Sequence, residues 1–216
     1  MAVLRRHFLI YASWAAALPL TACNRKTKWH EQDISGALPA LAFNMTDAMT
    51  EKAVTAADFR GKVTLLYFGY TQCPDFCPTT LTNLAGVLHN LGNQANQVRI
   101  LFVTVDPNRD SLTKLKTYVS LFAPQMVGLR GTPDQLAALA RRYRVAYSVT
   151  PAENGHPYTV THSSIVYVFD QDGNVRLLVD SMATQKPDIA GTTDDLRALI
   201  TRHRPPGLLD RIERIV

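Results

Sequence analysis

An α/β fold, with a central mixed sheet and flanking helices, is predicted by three features of the chain. Apolar β-prone runs alternate with helical periods through its middle, the first long run leads directly into a cysteine pair and a helix, and two late runs flank Asp172-Gly173. Alternation of this kind implies parallel strands joined by crossover helices, whereas an Asp-Gly turn between apolar runs implies an antiparallel hairpin. The sheet should therefore begin parallel and finish antiparallel. Together with a cysteine pair between the first long strand and its helix, that is a thioredoxin-like layout.

Each element has its own signal. Val63-Thr-Leu-Leu-Tyr-Phe68 is continuously apolar, as expected of a strand buried on both faces. Pro78 opens a stretch with Leu81, Leu84, Ala85 and Leu88 at helical spacing, closed near Gly92. Proline suits a first turn, whose amides have no partner to lose, and glycine suits the end. Val98 to Val105 reads as a second buried strand, Ser111 to Phe122 as a second helix, and Pro133 to Tyr143 as a third with Leu136, Ala140 and Tyr143 along one side. Ser164 to Phe169 and Val175 to Val179 are the hairpin strands, and Thr193 to His203 is the closing helix. These elements place one domain over residues 41–205. A polar tether over residues 23–40 precedes it, carrying Arg25, Lys26, Lys28, Glu31 and Gln32 without an apolar period, and a tail over residues 206–216 follows it.

Composition agrees with a single core. The chain has 216 residues, 46% of them hydrophobic and 19% charged, which excludes disorder, collagen and coiled coil as descriptions of the whole. A formal charge of +5 that includes Arg5 and Arg6 is too weak and dispersed to argue for nucleic acid. Residues 1–22 stand apart: after the two arginines, Phe8 to Ala22 is an uncharged run of 15 residues, too short to cross a bilayer of about 30 Å comfortably. This is the shape of an export signal. Its end, Leu20-Thr21-Ala22-Cys23, resembles the bacterial lipobox, which implies cleavage before Cys23 and lipidation of its thiol. An uncleaved anchor helix is the alternative, and both readings place the domain outside the cytoplasm. Arg5-Arg6-His7-Phe8-Leu9 also resembles the twin-arginine export pattern, so the route stays open between that and general secretion.

The chain has three cysteines, an odd number that needs an account in an exported protein. Lipidation of Cys23 supplies one and leaves Cys73 and Cys77, in Tyr70-Thr-Gln-Cys-Pro-Asp-Phe-Cys-Pro78. In a regular helix, positions four apart have β-carbons about 5–6 Å apart, whereas a disulfide wants about 3.8 Å. Pro74 and Pro78 restrict the backbone, placing the pair in a loop entering the helix, where metal binding and disulfide formation are both feasible. Cys77, set just before the helix, should feel the positive end of its dipole, which favours thiolate.

Two thiolates make an incomplete metal site, and histidine is the natural third ligand. His7 leaves with the signal, His30 lies in the tether, His203 lies at the domain's end, and His89 falls on the polar side of its helix. His156 and His162 remain, in the segment just before the Ser164 strand, which faces the cysteine loop in a thioredoxin-like fold. His162 adjoins the strand and is the better fixed of the two. The donor set Cys73, Cys77 and His162 is soft enough to select Cu(I) and tolerates Cu(II); zinc is the serious competitor.

These residues carry a family resemblance. Gly61-Lys62-Val63, Phe68-Gly69-Tyr70-Thr71, Cys73-Pro-Asp-Phe-Cys-Pro78, Val103-Thr-Val-Asp-Pro-Asn-Arg-Asp110, Gly128-Leu-Arg-Gly-Thr132 and Thr161-His162, in that order, resemble the Sco/SenC family of copper-binding assembly proteins over residues 40 to 203. The resemblance implies a membrane-anchored thioredoxin-like domain that delivers copper to the copper A centre of cytochrome c oxidase, or reduces the cysteines of that centre. Cys73, Cys77 and His162 match the family's copper ligands. Gln72 stands where many members have histidine, and Thr161 where many have an acid; neither change removes a ligand.

Two functions from different classes follow. A copper metallochaperone in the bacterial cell envelope needs all three ligands, and its partner is the copper A subunit or another copper acceptor. A thiol–disulfide oxidoreductase needs only Cys73 and Cys77 as its redox pair. A peroxidase would require a Pro-x-x-x-Thr/Ser-x-x-Cys arrangement that the chain lacks. Asp106, Arg109 and Asp110, at the carboxyl end of the second strand, are read either as a charged docking rim or as helix caps. Asp75 is read either as a partner contact or as a brace for the loop's amides, while Met45, Met49, Met126 and Met182 are scattered and read as packing.

Overall fold

The computed structural model describes residues 28–152 and 158–202. The signal at 1–22, Cys23, the tail at 206–216, His156 and His203 therefore lie outside the described residues. Among the described residues ten strands form an eight-stranded sheet and a separate two-stranded one. In the chain, β1 (Gln32–Asp33), β2 (Asn44–Asp47) and β3 (Ala53–Thr55) precede β4 (Val63–Gly69), α1 (Phe76–Leu91), β5 (Val98–Thr104), α2 (Leu112–Ser120), β6 (Met126–Arg130) and α3 (Pro133–Arg142). Then come β7 (Tyr147–Thr150), β8 (Thr159–His162), β9 (Val166–Phe169), β10 (Val175–Val179) and α4 (Ile189–Arg202).

The large sheet runs β1-β10-β9-β4-β5-β6-β2-β3. Its centre, β4-β5-β6, is parallel and the β9-β10 hairpin antiparallel, as the sequence pattern predicts for β4, β5, β9 and β10; β6 and the antiparallel β1, β2 and β3, which that pattern does not announce, extend the sheet. Every residue of β4 is buried, in keeping with its unbroken apolar run. α1 packs beside α4, and α2 lies against β6. The short β6 interrupts its apolar character with Gly128, where a side chain would come within 3.1 Å of the Leu115 β-carbon; the glycine admits α2 to the sheet. Gly69 and Thr104 are paired in register, so β4 and β5 end level and hand their following loops to the same edge.

Several boundaries differ from the sequence reading. Residues 28–40 are not a free tether: Gln32 and Asp33 pair with Leu178 and Leu177, and the His30 and Glu31 amides donate to the Asp195 carboxylate. An edge strand needs only backbone bonds and tolerates polar side chains, so no apolar period announces it. α1 begins at Phe76 rather than Pro78, placing Cys77 inside its first turn. Pro78 still fits, because the amide it lacks would have no intrahelical partner. The closing helix starts at Ile189, with the Asp188 carboxylate accepting from the Gly191 amide at 2.8 Å, and the strand expected from Ser164 starts at Val166. Among the described residues no helix is long and apolar enough to cross a membrane.

Candidate metal centre

The cysteine half of the site grows out of the core. Beyond β4 the chain turns, with the Cys73 amide donating to the Tyr70 carbonyl, and it enters α1 at Phe76. Cys77 is fully buried, with its sulfur packed where Gly69 has no side chain; a β-carbon there would lie 2.7 Å from Sγ and 2.6 Å from the Phe102 ring. The Tyr67 hydroxyl reaches the same sulfur at 3.7 Å. Both thiols are free. The Cys77 thiol donates toward Cys73, which holds the Cys73 thiol down to about 3 against the effect of burial. The same bond, together with burial and the facing Cys73 charge, pushes Cys77 far up. The two thiols are thus set apart, Cys73 downward and Cys77 upward, and the direction at Cys77 is opposite to the one the helix dipole alone would give.

The histidine half arrives separately. β7 and β8 pair antiparallel, with Tyr147 opposite His162, which closes β8. The His162 Nε2 lies 3.3 Å from the Cys77 sulfur, while Nδ1 lies 2.9 Å from the Ser163 carbonyl. A carbonyl only accepts, so in the neutral ring Nδ1 carries the proton, and Nε2 is the nitrogen that faces the sulfurs. Tyr67 and Tyr70 meet the imidazole edge-on, at centroid distances of 6.1 and 5.7 Å. The ligand atoms of Cys73, Cys77 and His162 lie within 4.8 Å of one another, close enough for a single ion at their centre; among the described residues they are the one such group. Two sulfurs and a neutral imidazole suit a soft or borderline ion, and three protein donors leave a position through which an ion can be passed on.

The other predicted candidates fall elsewhere. His30 is bound through its backbone to α4, and His89 sits in the last turn of α1 with an exposed side chain. Asp75 is exposed and its carboxylate caps no amide of α1. Met45, Met126 and Met182 are core residues. Asp106 and Asp110 form no docking rim, being 3% and 0% exposed, and the cap of α2 is Ser111, whose hydroxyl accepts from the Lys114 amide. Instead Asp110 accepts from the Thr71 amide at 3.0 Å, the Thr71 hydroxyl at 2.6 Å and the Thr104 hydroxyl at 2.6 Å, tying the cysteine loop to the end of β5. Sequence reasoning missed that tie and the Tyr67 hydroxyl, because a tyrosine within a buried strand reads as core.

A dithiol set on the edge of a thioredoxin-like sheet, completed by a distant imidazole, defines a metal-binding member of that fold class. The SCO1/SenC family model matches residues 33–199, and the chain belongs to that family. It is 37% identical over 180 residues to the mitochondrial SCO2 homolog of Mus musculus, a match covering 79% of this chain and 70% of that one. To the mitochondrial SCO1 homolog of Homo sapiens it is 36% identical over 133 residues, 61% of this chain and 44% of that one, so the match takes in less than half of the human protein. Among solved structures it is similar to copper-bound ScoI of Bradyrhizobium japonicum, at 36% identity and a TM-score of 0.66, covering 74% of this chain and 98% of that one. It is also similar to copper-bound yeast Sco1, at 32% identity and a TM-score of 0.65, covering 77% and 92%.

Proposed function

We propose that this protein is a membrane-anchored copper metallochaperone that holds one copper through Cys73, Cys77 and His162 and supports assembly of the copper A centre of cytochrome c oxidase. The observation that carries the reading is the convergence of two sulfurs and the His162 Nε2 within 4.8 Å. Copper is cargo here. A thiolate at Cys73 and a prepared imidazole receive it, Cys77 loses its proton as it binds, and the open position lets an acceptor's thiols displace the ligands one at a time. The copper-bound relatives support the choice of metal, and the lipobox-like Leu20-Thr-Ala-Cys23 supports a lipid anchor in a bacterial cell envelope. The test is a Cu(I) titration of the reduced and oxidised protein with His162→Ala beside it. One equivalent held by the reduced protein, none by the oxidised, and weaker binding by the variant is expected; no stoichiometric binding by the reduced protein rejects the reading. The anchor is checked by fatty-acid labelling, which Cys23→Ser should abolish.

A thiol–disulfide reductase is the second reading, favoured by the reduced pair and the Cys73 thiolate. Cys73 would attack a partner disulfide and release one thiolate; Cys77 would then resolve the mixed disulfide, leaving two partner thiols and an oxidised Cys73–Cys77 pair. His162 is dispensable to that chemistry. If His162→Ala abolishes function in cells and leaves thiol exchange intact, this reading loses.

A further inference from the structure

The turn between β5 and α2, residues 106–110, touches both halves of the centre. At its far end Asp110 holds Thr71 of the cysteine loop through the bonds described above. At its near end Asp106 accepts from the Tyr158 hydroxyl at 2.6 Å and also bonds the Arg109 Nε. Arg109 lies over the Tyr158 ring with its guanidinium carbon 3.9 Å from the centroid, and it donates to the Tyr158 carbonyl at 3.1 Å. Tyr158 immediately precedes β8, four residues before His162. Arg109 also faces Tyr70, at 5.8 Å, and the Tyr70 ring is one of the two against the His162 imidazole.

We propose that Asp106, Arg109 and Asp110 are positioning residues: one short turn grips the histidine hairpin at Tyr158 and the cysteine loop at Thr71, and so sets the spacing between imidazole and sulfurs. The hairpin needs such a grip because, among the described residues, β7 and β8 pair only with each other and not with the eight-stranded sheet. Within β8 the fully inward side chain is Val160; Thr159 and Thr161 are exposed. A salt-bridged guanidinium stacked on the Tyr158 ring and bonded to its carbonyl, with Asp106 holding the hydroxyl, compensates for that thin packing. The consequence for copper rests on the metallochaperone reading, whereas the grip itself does not.

Tyr158→Phe removes the hydroxyl bond to Asp106 and keeps the ring, and Arg109→Leu removes the stacked cation. In the copper-free protein, both should speed amide hydrogen exchange in β7 and β8 about tenfold, the effect of losing one hydrogen bond to a charged group, and leave β4 and α4 unchanged. Both should weaken Cu(I) binding about tenfold, the usual scale for partners that orient a metal ligand. Unchanged hairpin exchange, unchanged Cu(I) affinity in a loosened hairpin, or loosening of β4 and α4 together with the hairpin would each overturn the proposal. Should the wild type hold no Cu(I), the metallochaperone reading falls by itself, and the exchange comparison still decides whether the turn grips the hairpin.

Discussion

Cys77 sits at full burial in the first turn of α1, whereas His162 reaches the same point from a two-stranded hairpin outside the main sheet. The cysteine half is therefore continuous with the core, packed against Phe102 and Tyr67, and its geometry is maintained by the forces that keep the domain folded. Among the described residues, the side-chain hydrogen bonds that tie the histidine half to the rest of the domain are those at Tyr158 and at the imidazole itself. The difference assigns the two halves different jobs. On the metallochaperone reading, a rigid dithiol would keep the soft donors ready, and the hairpin-borne imidazole would complete the site and yield to an acceptor without disturbing the fold.

Substitutions can break this contrast in a definite order. Cys77→Ser removes the most deeply buried donor and should cost about 10³-fold in Cu(I) affinity, about 4 kcal/mol, as read by competition with a chromophoric chelator. His162→Ala should cost about 100-fold by the same measurement, and its Tm should match the wild type because the side chain is only partly buried on a thinly packed hairpin. A fall of more than a few degrees in Tm would make the histidine half as structural as the cysteine half and erase the distinction. Gly69→Ala should show the opposite signature. Its β-carbon meets both Cys77 and Phe102 below 3 Å, so stability should drop by about 2 kcal/mol in urea unfolding, with a smaller loss of copper.

The smallest effect concerns pH. Cys73 is held down to about 3 from an ordinary thiol value near 9. Its thiolate should therefore persist as pH falls through neutrality and disappear only as pH approaches that lowered value. Alkylation of one cysteine should stay fast, once corrected for the reagent, from pH 8 to about pH 5. Cys77, pushed the other way, should remain slow throughout. Two thiols reacting alike, with a midpoint near pH 9, would remove the separation of the two thiols from the account.

The same contrast explains what could be read from the chain. The cysteine half was legible because its causes are local: an unbroken apolar run for β4, prolines around the sulfurs, and a helical period from Leu81 to Leu88. The parallel centre and antiparallel finish were legible for the same reason. His162 was legible only through the fold and the family resemblance, since nothing around Thr161-His162 marks a ligand locally. β1, β2, β3, β6, β7 and β8 went unread, because strands of only two to five residues leave little pattern. Asp106 and Asp110 were noticed for their charge and read either as a docking rim or as helix caps. Their burial depends on Thr71, Thr104 and Tyr158, partners that no sequence spacing reveals.

The most direct test of the converging site is X-ray absorption at the copper edge of the reduced, Cu(I)-loaded protein. Two sulfur ligands and one imidazole nitrogen per copper are predicted, with the nitrogen lost in His162→Ala. Sulfur-only coordination in the wild type, indistinguishable from that variant, would contradict the account.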